Sequence, residues 1–168
     1  MSQYRRMRVP GGTVYFEVCL AQAGSDLLVR EVDALRWAVG ATLRERPVEV
    51  LAWVVLPDRM HAIWRLPEGD SDYALRWGAI KGRFTASLRG DASGESGQSP
   101  DLRIGERVQR GERGIWQKRF WEHHLRGAAD LDQHLDLCRQ SPVAAGLVER
   151  WQDWRYSSFV RERLRAAG

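Results

Sequence analysis

Cysteine is scarce in this chain of 168 residues, and the scarcity excludes two common ways of stabilising a small fold. The two cysteines, Cys19 and Cys138, are far apart, and neither belongs to a C-x-x-C pair. This spacing argues against a disulfide framework and against a zinc site built from cysteines. It also favours a reducing compartment, in which cysteines stay free.

Long apolar runs are absent as well. The sequence has no run of about 18 apolar residues, and residues 1–6 have no apolar stretch behind them that could act as a signal peptide. We therefore expect a soluble, cytoplasmic protein with no membrane partner. Since 43% of the residues are hydrophobic, we also expect a single domain with one core over residues 1–168.

Basic residues are in mild excess, with 26 Lys and Arg against 22 Asp and Glu and a sequence pI of about 9.5. Such an excess suits a polyanionic partner, although a solvated charged face is the alternative interpretation. Residues 90–114 are rich in glycine, serine, aspartate and arginine, which predicts a mobile basic loop. The basic residues of this loop and of the segment after it include Arg103, Arg107, Arg110, Arg113, Lys118 and Arg119.

The composition and spacing of the apolar residues predict alternating strands and helices. Strands rich in β-branched and aromatic residues are predicted over residues 13–21, 48–56, 60–66 and 119–125, the second and third forming a hairpin. Helices are predicted over residues 26–45, from about residue 70 to Phe84, and from a cap at Asp130 to near Ser141-Pro142. This order favours an α+β fold, with an antiparallel sheet flanked by helices in a ferredoxin-like arrangement.

Five blocks of sequence carry a family pattern in the right order. They are Tyr4-Arg5-Arg6 with Gly11-Gly12-Thr13, residues 52–69, residues 115–126, Pro142-Val143 with Gly146-Leu147-Val148, and residues 154–159. Together they resemble the REP-associated tyrosine transposases, which belong to the single-strand HUH transposases. The resemblance covers nearly the whole chain except residues 90–114. It implies an HUH transposase-like fold and single-stranded or hairpin DNA as the partner.

Members of that family cut single-stranded DNA beside hairpins, using a tyrosine nucleophile and a divalent metal held by a His-hydrophobic-His motif. The family pattern is Pro, then Asn, Asp or Glu, then His-x-His, whereas this chain has Pro57-Asp58-Arg59-Met60-His61. Arg59 stands in place of the first metal-binding histidine, and an arginine has no acceptor for a metal. His61 is either a degenerate metal ligand or a histidine bonded to a backbone carbonyl. We expect no cofactor, and Mg or Mn only if the site is active.

The family's nucleophilic tyrosine lies on the following helix, in a pattern like His-Val-Asp-Tyr-Ile-x-x-Asn-Pro-Val. The matching stretch is residues 134–143 (HLDLCRQSPV), which places Leu137 at the nucleophile and Ser141 at a polar position that can help to hold the metal. A leucine side chain has no nucleophilic atom. These departures predict a protein that keeps DNA binding but is defective in tyrosine-mediated cleavage, so whether it is an enzyme stays open.

A set of basic, aromatic and histidine side chains is predicted to contact the DNA. Trp64 and Trp116 are the candidates for stacking on bases, whereas Trp37, Trp53 and Trp77 are expected in the core. The guanidinium of Arg59 is expected to hold a phosphate where the metal would otherwise hold it. The full set is Tyr4, Arg5, Arg6, Arg59, His61, Trp64, Arg107, Arg110, Arg113, Trp116, Lys118, Arg119 and His123.

Two other functions are open at the level of sequence. One is an active metal-dependent DNA-cleaving transposase or nuclease that uses His61, with Tyr156 or water as a relocated nucleophile. The other is a domesticated regulatory or protein-binding domain without affinity for DNA. The sequence leaves the target hairpin, the host role and the oligomeric state, monomer or dimer, undecided. When bound to DNA, the protein would be associated with the nucleoid.

Overall fold

The structure, a computed structural model, describes residues 6–90 and 114–167 of the chain. Antiparallel strands form a sheet in the order β2-β3-β1-β4. The strands are β1 (Thr13–Cys19), β2 (Glu49–Val55), β3 (Arg59–Arg65) and β4 (Trp121–His124). The helices of the described residues are α1 (Leu27–Arg30), α2 (Val32–Glu45), α3 (Tyr73–Leu88), α4 (Gly127–Ala144) and α5 (Ser158–Ala166), with a short 3-10 helix at Trp151–Asp153.

The strand order is the ferredoxin-like order that the sequence predicts, which confirms the fold class. β2 and β3 form the predicted hairpin, and β1 lies between β3 and β4. Successive side chains of a strand point to opposite faces of the sheet. Along β1, the even-numbered residues from Val14 to Val18 are therefore buried on one face, while Tyr15 and Glu17 lie on the other.

Helices α2 and α3 cover the first face of the sheet and enclose the larger core. Trp64 of β3 stacks on Trp77 of α3, with ring centroids 4.5 Å apart. Trp64 is fully buried, so the prediction that it stacks on DNA bases is wrong, because a base needs an exposed ring face. Trp37 was expected in the core, but it lies on α2 with 47% of its surface exposed.

Two helices begin or divide differently from the prediction. The helix predicted over residues 26–45 is divided into α1 and α2 at Glu31, where the backbone (φ −106°, ψ 34°) departs from helical values. Helix α4 begins at Gly127, before the predicted cap at Asp130. The carboxylate of Asp130 accepts the backbone N–H of Arg126 (2.8 Å) from within the first turn, so it still satisfies a backbone donor at the start of the helix.

Helix α4 also continues through Pro142 to Ala144, although the proline was predicted to end it. Proline has no N–H to donate to the carbonyl of Cys138. The hydroxyl of Ser141 donates to that carbonyl instead (2.8 Å). The carbonyl is therefore satisfied, and the helix tolerates the proline in its last turn.

Some predictions fall on parts of the chain that the structure does not describe. The predicted mobile loop at residues 90–114 lies almost entirely outside the described residues, and Arg107, Arg110 and Arg113 lie outside with it. Tyr4 and Arg5 lie outside them too. The single domain over residues 1–168 therefore stays a prediction. Within residues 6–90 and 114–167, no helix is long and apolar enough to span a bilayer.

Candidate functional site

The second face of the sheet carries the residues that the family pattern singles out. Directly opposite residues of antiparallel strands share a face. This face holds Tyr15, Glu17, Arg59, His61 and His123. Helix α4 packs against its β2 and β3 part, burying Cys138 and Ser141. We refer to this surface as the α4 face.

His61 is bound by a neighbouring tyrosine. The hydroxyl of Tyr15 is hydrogen-bonded to Nδ1 of His61 (2.8 Å), and the two rings lie nearly parallel. Burial, with smaller contributions from Cys138 and Glu17, raises the pKa of Tyr15, so the phenol stays protonated. Burial also lowers the pKa of His61 below its ordinary value, which favours the neutral imidazole. The partner of Nδ1 is therefore this hydroxyl and not the backbone carbonyl that was considered from the sequence.

Arg59 pairs with two carboxylates. Its Nε donates to Asp58 (3.1 Å), and one of its terminal nitrogens donates to Glu17 across the strand pair (3.3 Å). The hydrogen bond to Asp58 raises the pKa of Arg59, which keeps the guanidinium charged. The side chain is 39% exposed, so it is reachable from solvent. Its positive charge is largely neutralised by the ion pairs with Glu17 and Asp58.

The family's metal does not fit the residues at this position. One of the two imidazoles is replaced by the guanidinium of Arg59, and Nδ1 of His61 is hydrogen-bonded to the Tyr15 hydroxyl, which leaves Nε2 of this ring as the one imidazole nitrogen for a metal among these side chains. The hydroxyl of Ser141 is buried and donates to a carbonyl of its own helix. Leu137, at the nucleophile position, is 43% exposed on α4 and offers no reactive atom. These four side chains provide neither the ligand set nor the nucleophile of the family pattern.

A cluster that the sequence analysis did not single out lies where β4 meets α4. Nε2 of His123 lies 3.0 Å from the carboxylate of Asp130, and Nδ1 of His134 lies 3.1 Å from the same carboxylate. A ring nitrogen of each histidine and a carboxylate oxygen lie within 4.8 Å of one another, which could hold a metal ion. The spacing of Asp130 and His134, one turn apart on a helix, is the sequence signal that could have found half of it.

The remaining predicted DNA contacts occupy different environments. Arg6 pairs with Glu122 (3.3 Å) and lies over the ring of Phe120. Trp116 is half-buried against the ring of Phe84. The two basic residues that precede β4 are exposed; they are Lys118 and Arg119.

An exposed aromatic residue on the α4 face escaped the sequence analysis. Trp121 opens β4, directly opposite Glu17, and 66% of its surface is exposed. The sequence indicates that successive side chains of β4 point to opposite faces of the sheet. It does not indicate which of these faces helices α2 and α3 cover, so the exposure of Trp121 could not be predicted. Trp121 is therefore an exposed aromatic surface beside two exposed basic residues, Lys118 and Arg119.

Tyr156, the candidate for a relocated nucleophile, lies at the outer edge of the sheet. Its carbonyl accepts the N–H of Val55 (2.9 Å), and the next residue, Ser157, bridges to β2. Its ring packs against Trp154. These contacts give Tyr156 a role in fixing the C-terminal segment to β2.

The strand order, His61 on β3 and helix α4 over the same face define an HUH transposase-like protein. No protein-family model matches the chain. It is 40% identical over 165 residues to a REP-associated tyrosine transposase of Escherichia coli (strain K12), covering 98% of this chain and 87% of that protein. A Haemophilus influenzae protein named for the same family is 37% identical over 162 residues, covering 96% of this chain and 88% of its own length.

A solved structure agrees with the sequence relatives. It is a REP-associated tyrosine transposase bound to a REP hairpin, with a TM-score of 0.79 and 39% identity, and the match covers 99% of this chain and 87% of that one. The chain belongs to the REP-associated tyrosine transposases.

Proposed function

We propose that this chain binds hairpin and single-stranded DNA and is defective in the tyrosine-mediated cleavage of its family. One observation carries the proposal: Arg59 and His61, at the family's metal-binding positions, are hydrogen-bonded to Glu17 and Tyr15, on a fold shared with a relative that binds a REP hairpin. DNA binding needs the scaffold and its exposed basic and aromatic residues. Cleavage needs a nucleophile and a way of polarising the phosphate.

The tyrosines of the described residues do not supply the missing nucleophile. Tyr15 lies on the α4 face, but it is buried, its hydroxyl is bound to His61, and burial raises its pKa. A phenol attacks phosphorus only if it is accessible and can lose its proton. Tyr73 is buried in the core, and Tyr156 fixes the C-terminal segment. This distribution supports a loss of cleavage more than a relocated nucleophile.

The exposed start of β4 supplies the features that single-stranded DNA requires. Trp121 offers a ring face for a base, and Lys118 and Arg119 offer charge for the backbone. Aromatic stacking contributes about 1–3 kcal/mol per base and depends little on sequence. The basic residues at positions 107, 110 and 113, with Tyr4, Arg5 and Arg6, extend the proposed DNA-binding set beyond this segment.

Hairpin DNA with a single-stranded flank should bind more tightly than plain duplex, and its affinity should fall steeply with salt. Each neutralised phosphate is expected to add about 0.7 to the slope of log K against log salt for single strands. Fluorescence anisotropy between roughly 50 and 200 mM salt measures this slope.

Trp121→Ala should weaken binding of the hairpin by about 1–3 kcal/mol without changing the salt slope, since it removes a stacking surface and no charge.

The matched control for this titration is Trp37→Ala. Trp37 is also an exposed tryptophan, but it lies on α2, which covers the opposite side of the sheet. Its removal should leave hairpin affinity unchanged. A salt slope near zero in the parent protein would contradict DNA binding and favour the protein-binding alternative. Equal losses in the two tryptophan variants would contradict the placement of DNA at β4.

Arg59→Ala should weaken hairpin binding by about 1–3 kcal/mol, the range for a charge-assisted hydrogen bond. The substitution removes a cation from the α4 face and leaves Asp58 and Glu17 without a neutralising partner beside the phosphates. Arg65→Ala is the control, because Arg65 lies on the same strand and pairs with Glu49 at the surface. If the two variants bind the hairpin with equal affinity, Arg59 forms its ion pairs with Asp58 and Glu17 and does not contact the DNA.

A further inference from the structure

We propose that His123, Asp130 and His134 bind a divalent transition-metal ion at a site distinct from the family's metal position. A ring nitrogen of each histidine and a carboxylate oxygen lie within 4.8 Å of one another. Donor atoms that each lie about 2.0–2.2 Å from one ion are at most roughly 4.4 Å apart. Small side-chain rotations would therefore bring all three onto one ion.

The three side chains are held in place by two elements of the fold. His123 belongs to β4, while Asp130 and His134 lie one turn apart on α4. The two imidazole rings are nearly parallel, with centroids 4.7 Å apart and an angle of 21°. Both imidazoles contact the one carboxylate of Asp130. A bound ion would replace the protons that lie in these contacts.

The carboxylate is held in place by a backbone donor. It accepts the N–H of Arg126 (2.8 Å). The Arg126 N–H would orient the carboxylate from outside the coordination shell. Nδ1 of His134 lies 2.8 Å from the backbone carbonyl of Asp130, so an ion bound at this nitrogen would displace the proton that it donates there.

The donor set decides the class of ion. Two imidazole nitrogens and one carboxylate oxygen form a three-ligand set typical of open Zn²⁺ sites, in which a further position is left for water or substrate. Imidazole also suits other first-row transition ions, whereas Mg²⁺ and Ca²⁺ favour oxygen ligands. We therefore assign the site to Zn²⁺ or a similar transition ion.

The position of the site suggests what its open coordination position does. His134 packs against Tyr15 (ring centroids 5.1 Å apart), and the hydroxyl of Tyr15 is hydrogen-bonded to His61. The site thus adjoins the family's metal position without sharing a ligand with it. All three side chains are partly exposed, so a ligand can reach the ion. Resting on the proposed function, a phosphate oxygen of the bound DNA would take the open position.

The test is calorimetric titration of Zn²⁺ into the full chain, purified without a polyhistidine tag. One ion per chain is expected to bind to the parent protein. His123→Gln keeps a hydrogen-bond donor toward Asp130 but removes an imidazole, and Asp130→Asn keeps an acceptor for the Arg126 N–H but removes the charge. Because loss of an outer partner costs roughly 10–100-fold in affinity, loss of a direct ligand should cost at least as much. His61→Gln, the control, should leave Zn²⁺ affinity unchanged.

A second readout separates coordination from a structural effect. Co²⁺ in place of Zn²⁺ should give visible absorption bands that vanish in His123→Gln while thermal unfolding of the ion-free protein is unchanged. No stoichiometric binding in the parent, or a Zn²⁺ affinity of both ligand variants equal to that of the parent, would overturn the site. Loss of binding in His61→Gln alone would assign the ion to the family's position and overturn it equally.

The DNA arm of the experiment keeps the two proposals apart. Zn²⁺ should strengthen hairpin binding by the parent but not by His123→Gln. If the ion binds and hairpin affinity is the same with and without it, the phosphate role is wrong and the metal site stands. If the hairpin fails to bind under either condition, the proposed function fails while the calorimetric result still decides the metal site.

Discussion

Metal-dependent nicking of hairpin DNA should appear when Arg59→His, Leu137→Tyr, Ser141→Asn and Tyr15→Phe are combined, where the parent chain shows none with Mg²⁺ or Mn²⁺. The first three changes restore the family's ligand and nucleophile pattern. The fourth removes the hydroxyl that is hydrogen-bonded to Nδ1 of His61, so the tautomer of this imidazole is no longer set by Tyr15, while the ring of residue 15 keeps its packing. The expected change is from no detectable product to product covalently joined to the protein.

The frame should accept these substitutions. Leu137 is 43% exposed, so a larger side chain there needs no repacking of the core. Arg59 is also partly exposed, and its removal leaves only surface carboxylates to be solvated. Ser141 is the costliest position, because its hydroxyl satisfies the carbonyl that Pro142 leaves without a donor. The amide of an asparagine at this position can donate in its place.

The control for this experiment replaces Leu137 by phenylalanine in the otherwise restored chain. It differs from the restored variant by one hydroxyl, so it should bind hairpin DNA equally and form no covalent product. Cleavage by this control would show that water, and not the new tyrosine, attacks the phosphate. Cleavage by the parent chain would overturn the proposal that its cleavage is defective. Denaturing electrophoresis of a 5′- and 3′-labelled hairpin distinguishes these outcomes.

Arg76→Met should destabilise the fold by about 1.5–3 kcal/mol, the range for a hydrogen bond to a charged group. The side chain of Arg76 is 3% exposed and lies 2.7 Å from the carboxylate of Asp70. It also donates to the backbone carbonyls of Arg46 (2.8 Å) and Pro47 (3.1 Å), where α2 ends before β2. Methionine has a similar length but no donor, so the Asp70 carboxylate and the two carbonyls would lose these hydrogen bonds.

Urea unfolding measures this effect, with Arg65→Met as the control. Arg65 pairs with Glu49 at the surface, so its replacement should change the free energy of unfolding by only about 0–1 kcal/mol. The hydrogen bond to Arg76 lowers the pKa of Asp70 in the folded state. The stabilisation from this pair is therefore present above the unfolded value of about 3.9 and is lost as the pH falls through the folded value. The difference between parent and Arg76→Met should narrow below about pH 4, and a constant difference would exclude Asp70 as the essential partner.

The sequence was sufficient for the strands, the hairpin and the family. Alternating apolar residues in β1 and β3 need one buried face, and this period survives whatever packs on it. The departures from the family pattern at Arg59, Leu137 and Ser141 could be recognised for a different reason. Each is a change of residue type within a short pattern. Such changes alter the available chemistry independently of the surrounding geometry.

Helix ends and exposure were harder to predict, because each depends on a partner that the local sequence does not identify. Pro142 normally ends a helix, but the hydroxyl of Ser141 satisfies the carbonyl that the proline leaves free. Trp64 and Trp121 both lie on strands, yet one is fully buried and the other is 66% exposed. Which of them faces water depends on the side of the sheet that α2 and α3 cover.

The sequence by itself determined the fold class, the family and the absence of a nucleophile at Leu137, because these follow from periodicity and residue type. Only the tertiary structure decided that the Tyr15 hydroxyl is hydrogen-bonded to His61, since the register of β1 against β3 brings together two residues that are 46 positions apart in the chain. The same holds for His123, which meets Asp130 and His134 only because β4 ends where α4 begins. Contacts across the sheet are set by strand register and packing, and the spacing of residues along the chain predicts neither of them.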